Sequence, residues 1–233
     1  MANILVSIII VTYNAGKTLQ SALDSVFQQT YPYIEIIIID GLSTDDTVEI
    51  IKRNEKKISF WISEQDRGVY DAMNKSLKYA NGDRIFFLGA DDILLPDFSS
   101  IICNFKDENT IYYGMSKFKK RIEGKKFKPL FLSKRNIVHQ SIFYPKEVFS
   151  KYNYELKYPI LADYYLNIQC FSDNQFKFEF LPYLVSVFAD GGLSSTHKDK
   201  QFLSDKDQII KDNFSKKIYY RYLLRKFRKK IGL

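Results

Sequence analysis

Cysteine, histidine and tryptophan are scarce in this chain of 233 residues, with two, two and one copies respectively. Cys103 and Cys170 lie far apart in apolar runs, which provides neither a zinc spacing nor a disulfide framework. Both are expected as buried small hydrophobes of a reducing compartment. The apolar run near the N-terminus stops at Thr12, far short of the ~20 residues that span a bilayer. Met1 to Asn14 also lacks the basic, apolar, small order of a signal peptide. An intracellular protein, at most peripheral to a membrane, is expected. Gly-x-Gly-x-x-Gly and Walker-type loops are missing, so neither a dinucleotide nor a P-loop fingerprint is present. Internal repeats and low-complexity linkers are missing too.

What is there begins with charge. The formal net charge of +8 sits entirely in the tail: Phe214 to Leu233 holds eight basic residues and no acidic one, leaving 27 basic and 27 acidic residues before it. A neutral body argues against a broad face gripping nucleic acid. In the tail, Tyr219, Leu223, Phe227 and Ile231 recur every four residues, with Lys217, Arg221 and Arg225 on another stripe. That pattern reads as a basic amphipathic helix lying on an anionic membrane surface, or as a terminal helix packed on the body.

The first 110 residues alternate buried strands with helices. Leu5 to Val11, Tyr33 to Ile39, Ile58 to Ile62 and Arg84 to Leu88 read as strands. Between them, Leu19, Ala22, Leu23, Val26 and Phe27 share a helical face. Ser43-x-x-Asp46 reads as a capping box opening a helix through Ile50 and Ile51. Another helix starts at Gly68, with Ala72, Leu77 and Ala80 inward and Asn81-Gly82 as its stop. Such alternation predicts an α/β, doubly wound, largely parallel sheet. After residue 110 the rhythm changes to an edge hairpin around Gly124, mixed loop and helix over 147–171, and extended chain from Phe176 to Phe188.

In open α/β sheets, ligands bind beyond the carboxyl ends of the strands. Those ends carry Thr12, Tyr13 and Asn14; then Asp40 and Gly41; then Glu64 to Gly68; then Asp91 and Asp92. Adjacent carboxylates after a buried strand repel each other, and a divalent cation relieves the conflict. A solvated turn, with Asp92 capping the next helix, is the alternative.

The runs VSIIIVTYNAGKTLQSALDSVFQQTYPYIEIIIIDGLSTDDT and EQDRGVYDAMNKSLKYANGDRIFFLGADDILLPD resemble family 2 glycosyltransferases of the GT-A fold. HQSIFY and LADYYLNIQ resemble the acceptor half of the subgroup that builds bacterial O-antigen and capsule repeats. The likeness spans about residues 4–190 and implies an inverting, metal-dependent transferase using a nucleotide sugar, with UDP favoured. It implies that Tyr13 packs on uracil, Asp40 accepts from its N3–H, and Thr12 and Asn14 line that pocket. Gly41 departs from the second acidic residue of many relatives. The resemblance also implies Asp91 on ribose or sugar hydroxyls, and Asp92 on Mn²⁺ or Mg²⁺ bridging the diphosphate. Asp66 and Arg67 fall in the segment that shapes the donor site, and Lys75 is a phosphate candidate. Asp163 is the implied base, and His139 and Gln140 lie on the acceptor side. His197, in a Gly- and Ser-rich loop, is a weaker match to a late metal-proximal histidine.

The expected organisation is a GT-A domain over 1–213, with a nucleotide-sugar half (1–110) and an acceptor half (111–213). A basic amphipathic tail follows over 214–233. The expected partners are a nucleotide sugar, a glycan or polyprenyl-pyrophosphate-linked acceptor and, through the tail, the inner face of the cytoplasmic membrane, with no nucleic acid. A degenerate, non-catalytic binding protein would lack one of Asp40, Asp91, Asp92 or Asp163. A nucleotidylyltransferase would carry a Gly- and Arg-rich loop where TYNAGKT stands.

Overall fold

The structure, a computed structural model, describes residues 3–189 and 198–230. Its centre is strand β1 (Val6–Thr12), paired in parallel with β2 (Ile34–Asp40) and with β4 (Arg84–Gly89). Strand β3 (Phe60–Ser63) extends this set in parallel from β2. Successive side chains of a strand point to opposite faces, and both faces of β1 are covered. Ile8 and Ile10 join one core with α1 (Leu19–Phe27), α2 (Thr47–Arg53) and α4 (Asp97–Ile102). Ile9 joins the other core with α3 (Val69–Ser76) and α7 (Ala162–Ser172). Burial on both faces is why these strands are continuous β-branched runs rather than alternating ones.

The sheet then changes character. Its order is β3-β2-β1-β4-β8-β6-β9-β5, where β5 is Ile93–Leu94, β6 is Thr110–Phe118, β8 is Ile142–Pro145 and β9 is Lys177–Phe188. Strand β8 runs antiparallel to both β4 and β6, while β6 and β9 are parallel. The expected edge hairpin is present, with β7 (Arg121–Glu123) pairing only with β6. The parallel character predicted from the first 110 residues thus belongs to β1–β4, and the whole sheet is mixed.

Buried Arg84 joins these two parts. Its guanidinium donates to the Thr110 carbonyl at 2.9 Å and the Asp107 carbonyl at 2.5 Å. It also lies against the rings of Phe105 and Tyr112, at 5.6 and 5.5 Å.

Three local expectations are corrected. Ser43 makes no capping box: its hydroxyl donates to Asp40, and α2 begins after Asp46 without a side-chain cap. Helix α3 ends at Ser76, whose hydroxyl turns back to the Met73 carbonyl, a bond that competes with helix continuation. Leu77 and Ala80 still face inward from the turns beyond. Cys170 is buried, but Cys103 is exposed just past the end of α4.

The C-terminal helices are α8 (Lys200–Asn213) and α9 (Lys216–Lys230), with short α5 (Pro129–Leu132) and α6 (Lys146–Lys151) earlier in the chain. Helix α9 carries two apolar stripes where the sequence pattern showed one. Ile218, Tyr219, Tyr222 and Leu223 pack on the body, and Tyr222 and Lys226 bind Asp207 of α8 at 2.8 and 2.5 Å. Tyr220, Leu224 and Phe227 face solvent, 65, 55 and 59% exposed. Ile231 lies outside the described residues.

Replacing Arg84 by Met keeps the apolar stem but removes both hydrogen bonds from its charged guanidinium, each worth about 1.5–3 kcal/mol. Arg84→Met is therefore expected to lose about 2–4 kcal/mol in urea unfolding, whereas Arg121→Met on the exposed edge strand stays near wild type.

Candidate active site

The carboxyl ends of β1, β2, β3 and β4 come to one rim, as parallel pairing requires. Tyr13 stands on it 65% exposed, while Thr12 below it is buried. The Thr12 hydroxyl has no hydrogen-bond partner among the described residues. Asn14, at φ +50°, takes the left-handed conformation that Asn tolerates better than most residues. Its Oδ1 accepts from the Thr44 N–H at 2.8 Å, and its own N–H donates to Ser43 at 2.8 Å. Asn14 therefore laces the 13–16 turn to the 41–47 loop, a structural part beyond the expected lining one.

Asp40 also differs from expectation. It is fully buried. Its carboxylate accepts from the Ser43 hydroxyl (2.5 Å), the Ser43 N–H (3.0 Å) and the Ser63 hydroxyl (2.6 Å). Three of about four acceptor positions are filled, so the group anchors the loop that follows it. Asp66, partly buried, accepts from the Gly68 N–H at 2.8 Å.

Two of the expected donor-site residues pair with neighbouring groups. Arg67 binds Asp71 at 3.1 Å with its side chain 77% exposed. Lys75 is held by Glu64 at 3.0 Å and donates to the Gln65 carbonyl at 2.6 Å. Lys75 is thus held by an acid and a carbonyl, whereas Arg67 spends one nitrogen on Asp71 and keeps further N–H donors on an exposed side chain.

At the end of β4 the two aspartates diverge. Asp91 is exposed and Asp92 is 2% exposed. Asp92 accepts from the Gly89 and Ala189 N–H groups, each at 3.0 Å, and the nearby Gln140 side chain favours its charged form. Burial pushes its pKa up to about 6, and the neighbouring Asp91 charge adds to the rise. It does not cap α4, which starts after Pro96. Both carboxylates fold back over Gly89, where a Cβ would meet Asp92 Oδ2 at 2.4 Å and Asp91 Oδ1 at 2.9 Å. Only glycine leaves room for that pair. The donor set fits Mg²⁺ or Mn²⁺, which typically take one or two carboxylates and complete their shell with substrate phosphates and water. An all-protein metal cage is not formed: no group of three or more acidic, Cys or His ligands occurs among the described residues.

Asp163 lies in the first turn of α7 and is nearly buried. It does not serve as the helix cap. Its two oxygens accept from Tyr70 at 2.9 Å and from Asn136 at 2.6 Å. Asn136 in turn accepts from Asn167, which accepts from Tyr144. Burial raises the Asp163 pKa, partly opposed by His139, and burial lowers that of His139. His139 contacts the Tyr154 hydroxyl at 2.9 Å and stacks on Phe87. The His139–Gln140 turn thus lies near both acids, with Gln140 on the Asp92 side and His139 beside Asp163. Sequence reasoning missed Tyr70, Asn136 and Gly89. The first lay inside the GVYDAMNK run, where the helical face was counted on Ala72, Leu77 and Ala80. His197 is outside the described residues.

The sequence model described as glycosyl transferase family 2 matches residues 7–161. The chain belongs to that family. This glycosyltransferase is 37% identical over 215 residues to a "PGL/p-HBAD biosynthesis glycosyltransferase" of Mycobacterium bovis, covering 87% of this chain and 84% of the relative. It is 36% identical over 115 residues to the Escherichia coli "UDP-Glc:alpha-D-GlcNAc-diphosphoundecaprenol beta-1,3-glucosyltransferase WfaP", covering 49% of this chain and 46% of that one. The fold is shared with solved structures. One is the mannosyltransferase PcManGT from Pyrobaculum calidifontis with GDP-Man and Mn²⁺ (TM-score 0.72, 18% identity, 97% of this chain and 70% of that chain). Another is TarS from S. aureus, residues 1–349, with UDP-GlcNAc (0.67, 17%, 89% and 71%).

The folded protein holds the Asp92 proton more tightly than the unfolded chain between pH 3.8 and about 6. Stability from this group therefore falls as pH rises through that window and stays lowered above it. Asp92→Asn is expected to abolish this loss of up to about 2–3 kcal/mol between pH 4 and pH 7, while its Nδ2, set against one of the two N–H groups, lowers stability at pH 4. Denaturant titrations across pH check this.

Proposed function

We propose that this glycosyltransferase is inverting, and moves a sugar from a UDP-sugar to a lipid-linked or glycan acceptor in surface polysaccharide assembly. The observation that carries this reading is the His139–Gln140 turn, which packs against β4 and lies near both Asp92 and Asp163. It supports a leaving-group site at Asp92 and a proton acceptor at Asp163. The named acceptor of WfaP is a diphosphoundecaprenol-linked sugar, which supports the same acceptor class here.

In this mechanism Tyr13 and the rim beside it hold the nucleoside, and Asp91 the ribose or sugar hydroxyls. Asp92, with Asp91 beside it, would hold Mn²⁺ or Mg²⁺, which when bound supplies Lewis-acid stabilisation to the nucleoside diphosphate. Asp163, its pKa raised by burial, takes the proton from the attacking acceptor hydroxyl. The hydroxyl oxygen bonds to the anomeric carbon as the bond to the diphosphate oxygen breaks. Tyr70 and Asn136 orient the Asp163 carboxylate for that transfer.

The exposed Tyr220–Leu224–Phe227 stripe, flanked by Arg221, Arg225 and Arg228, fits an anionic lipid surface. Each basic residue near such a surface contributes on the order of 1 kcal/mol. No helix among the described residues is long and apolar enough to cross a membrane, so attachment through α9 is peripheral, at the inner face of the cytoplasmic membrane. Helix α9 rests on the α5 region, with Lys134 close to Arg225. The same segment leads to Asn136, so this placement brings the acceptor side toward the lipid.

In thermal-shift assays one UDP-sugar is expected to stabilise the chain only with Mn²⁺ or Mg²⁺, and Asp92→Ala to lose the response. Asp163→Asn should bind donor normally yet lose turnover about 10²–10⁴-fold; full turnover would remove Asp163 as base. Co-sedimentation with anionic vesicles is expected for the wild type and weakened in Leu224→Asp/Phe227→Asp. Equal binding of the two would refute membrane docking by this stripe.

A further inference from the structure

Glycine at 41 leaves a slot beside Tyr13, and a carboxylate from another strand end fills it. A Cβ on Gly41 would stand 2.6 Å from Asp66 Oδ2 and 3.4 Å from Tyr13 Cδ2. Asp66, coming from beyond β3, and the Tyr13 ring therefore border the same space, the one that a side chain at 41 would occupy. Its Oδ1 accepts from the Gly68 N–H at 2.8 Å. Its Oδ2 receives no hydrogen bond from the described residues. Tyr13 offers an exposed aromatic ring. A flat apolar surface with one unfilled acceptor oxygen at its edge is what a nucleobase needs for stacking and in-plane recognition. Asp40 offers no such oxygen, being fully buried beneath three donors.

We propose that Asp66, rather than Asp40, reads the nucleobase of the donor, and that its single outward oxygen selects the N3–H of uracil. The proposal rests on the donor-site reading above and names the residue that sets its specificity. Uracil presents one N–H between two carbonyls, which matches one free oxygen. Cytosine presents a bare N3 lone pair at that place, which a carboxylate repels. Guanine presents two parallel donors, N1–H and N2–H₂, which a carboxylate matches with both oxygens. Here one oxygen already serves Gly68.

The test is calorimetric binding of UDP, CDP and GDP, each with Mn²⁺, to the full chain and to Asp66→Asn. Asparagine keeps an oxygen for the Gly68 N–H and replaces the outward acceptor by a donor. Wild type is expected to favour UDP over CDP and GDP by about tenfold or more, the size of one hydrogen bond exchanged for an unpaired or repelled group. Asp66→Asn should weaken UDP by about tenfold and tighten CDP, reversing the preference. Tyr13→Ala should weaken UDP and CDP alike, since stacking does not depend on the base edge. An Asp66→Asn protein with unchanged thermal unfolding that keeps the wild-type order overturns the assignment, as does a wild type that favours GDP. If the wild type binds UDP and Asp66→Asn changes nothing, the donor site stands and only the role of Asp66 falls. If the wild type binds none of the three, the donor-site reading fails and this inference with it.

Discussion

Strand β1 lies between two parallel neighbours, and much of the molecule follows from that placement. Parallel strands must end on the same side, so β1, β2, β3 and β4 all deliver their last residues to one rim. Their backbones are paired along the sheet but not beyond it, and polar groups leaving a buried strand must find partners or a ligand. Asp40 meets this demand with Ser43 and Ser63, and Asn14 with Thr44. Asp92 meets it with Gly89 and Ala189. Thr12 is left with a buried hydroxyl lacking a partner among the described residues. The rim is thus a set of loops held by short side chains, with the aromatic face of Tyr13 left outside.

The second part of the sheet supplies what the first lacks. Strand β8 turns the order antiparallel and is preceded by His139–Gln140, which abuts the end of β4. Asn136, from a loop, and Asp163 and Asn167, from α7, form one hydrogen-bonded chain. Tyr70 reaches that chain from α3, in the first half of the sequence. Tyr70 to Asp163 and Arg84 to the 107–110 turn are polar links that add to the shared sheet and core in joining the two halves.

Much of this was legible in the residues. Val6 to Thr12 and Ile34 to Asp40 are runs whose continuous β-branched character has one physical explanation, burial on both faces, and the structure places them within a residue of expectation. The clustering of strand-end polar residues on one rim was equally readable. What was not readable depended on which acceptor a small hydroxyl chose. Ser43 fits a capping box by spacing, but its oxygen accepts from the Asn14 N–H while its proton goes to Asp40. Ser76 ended α3 where the apolar pattern ran on to Ala80. The tail showed one apolar stripe at four-residue spacing, whereas a helix resting on a convex body offers room for a second. Tyr70 and Asn136 gave no signal because nothing local marks a side chain whose partner is 93 or 27 positions away.

The geometry at Tyr70 carries a consequence for proton traffic. Its hydroxyl oxygen is 2.9 Å from both Asp163 Oδ1 and the Ile160 carbonyl oxygen, yet a phenol has one proton to give. While Asp163 is ionised, that proton points to the carboxylate. When Asp163 gains a proton, it becomes the donor, and the phenol can rotate to serve Ile160 without any heavy atom moving. Both protonation states of the acid are thereby hydrogen-bonded by the same pair of oxygens. The reorganisation needed to receive a proton shrinks to the turning of a single O–H bond.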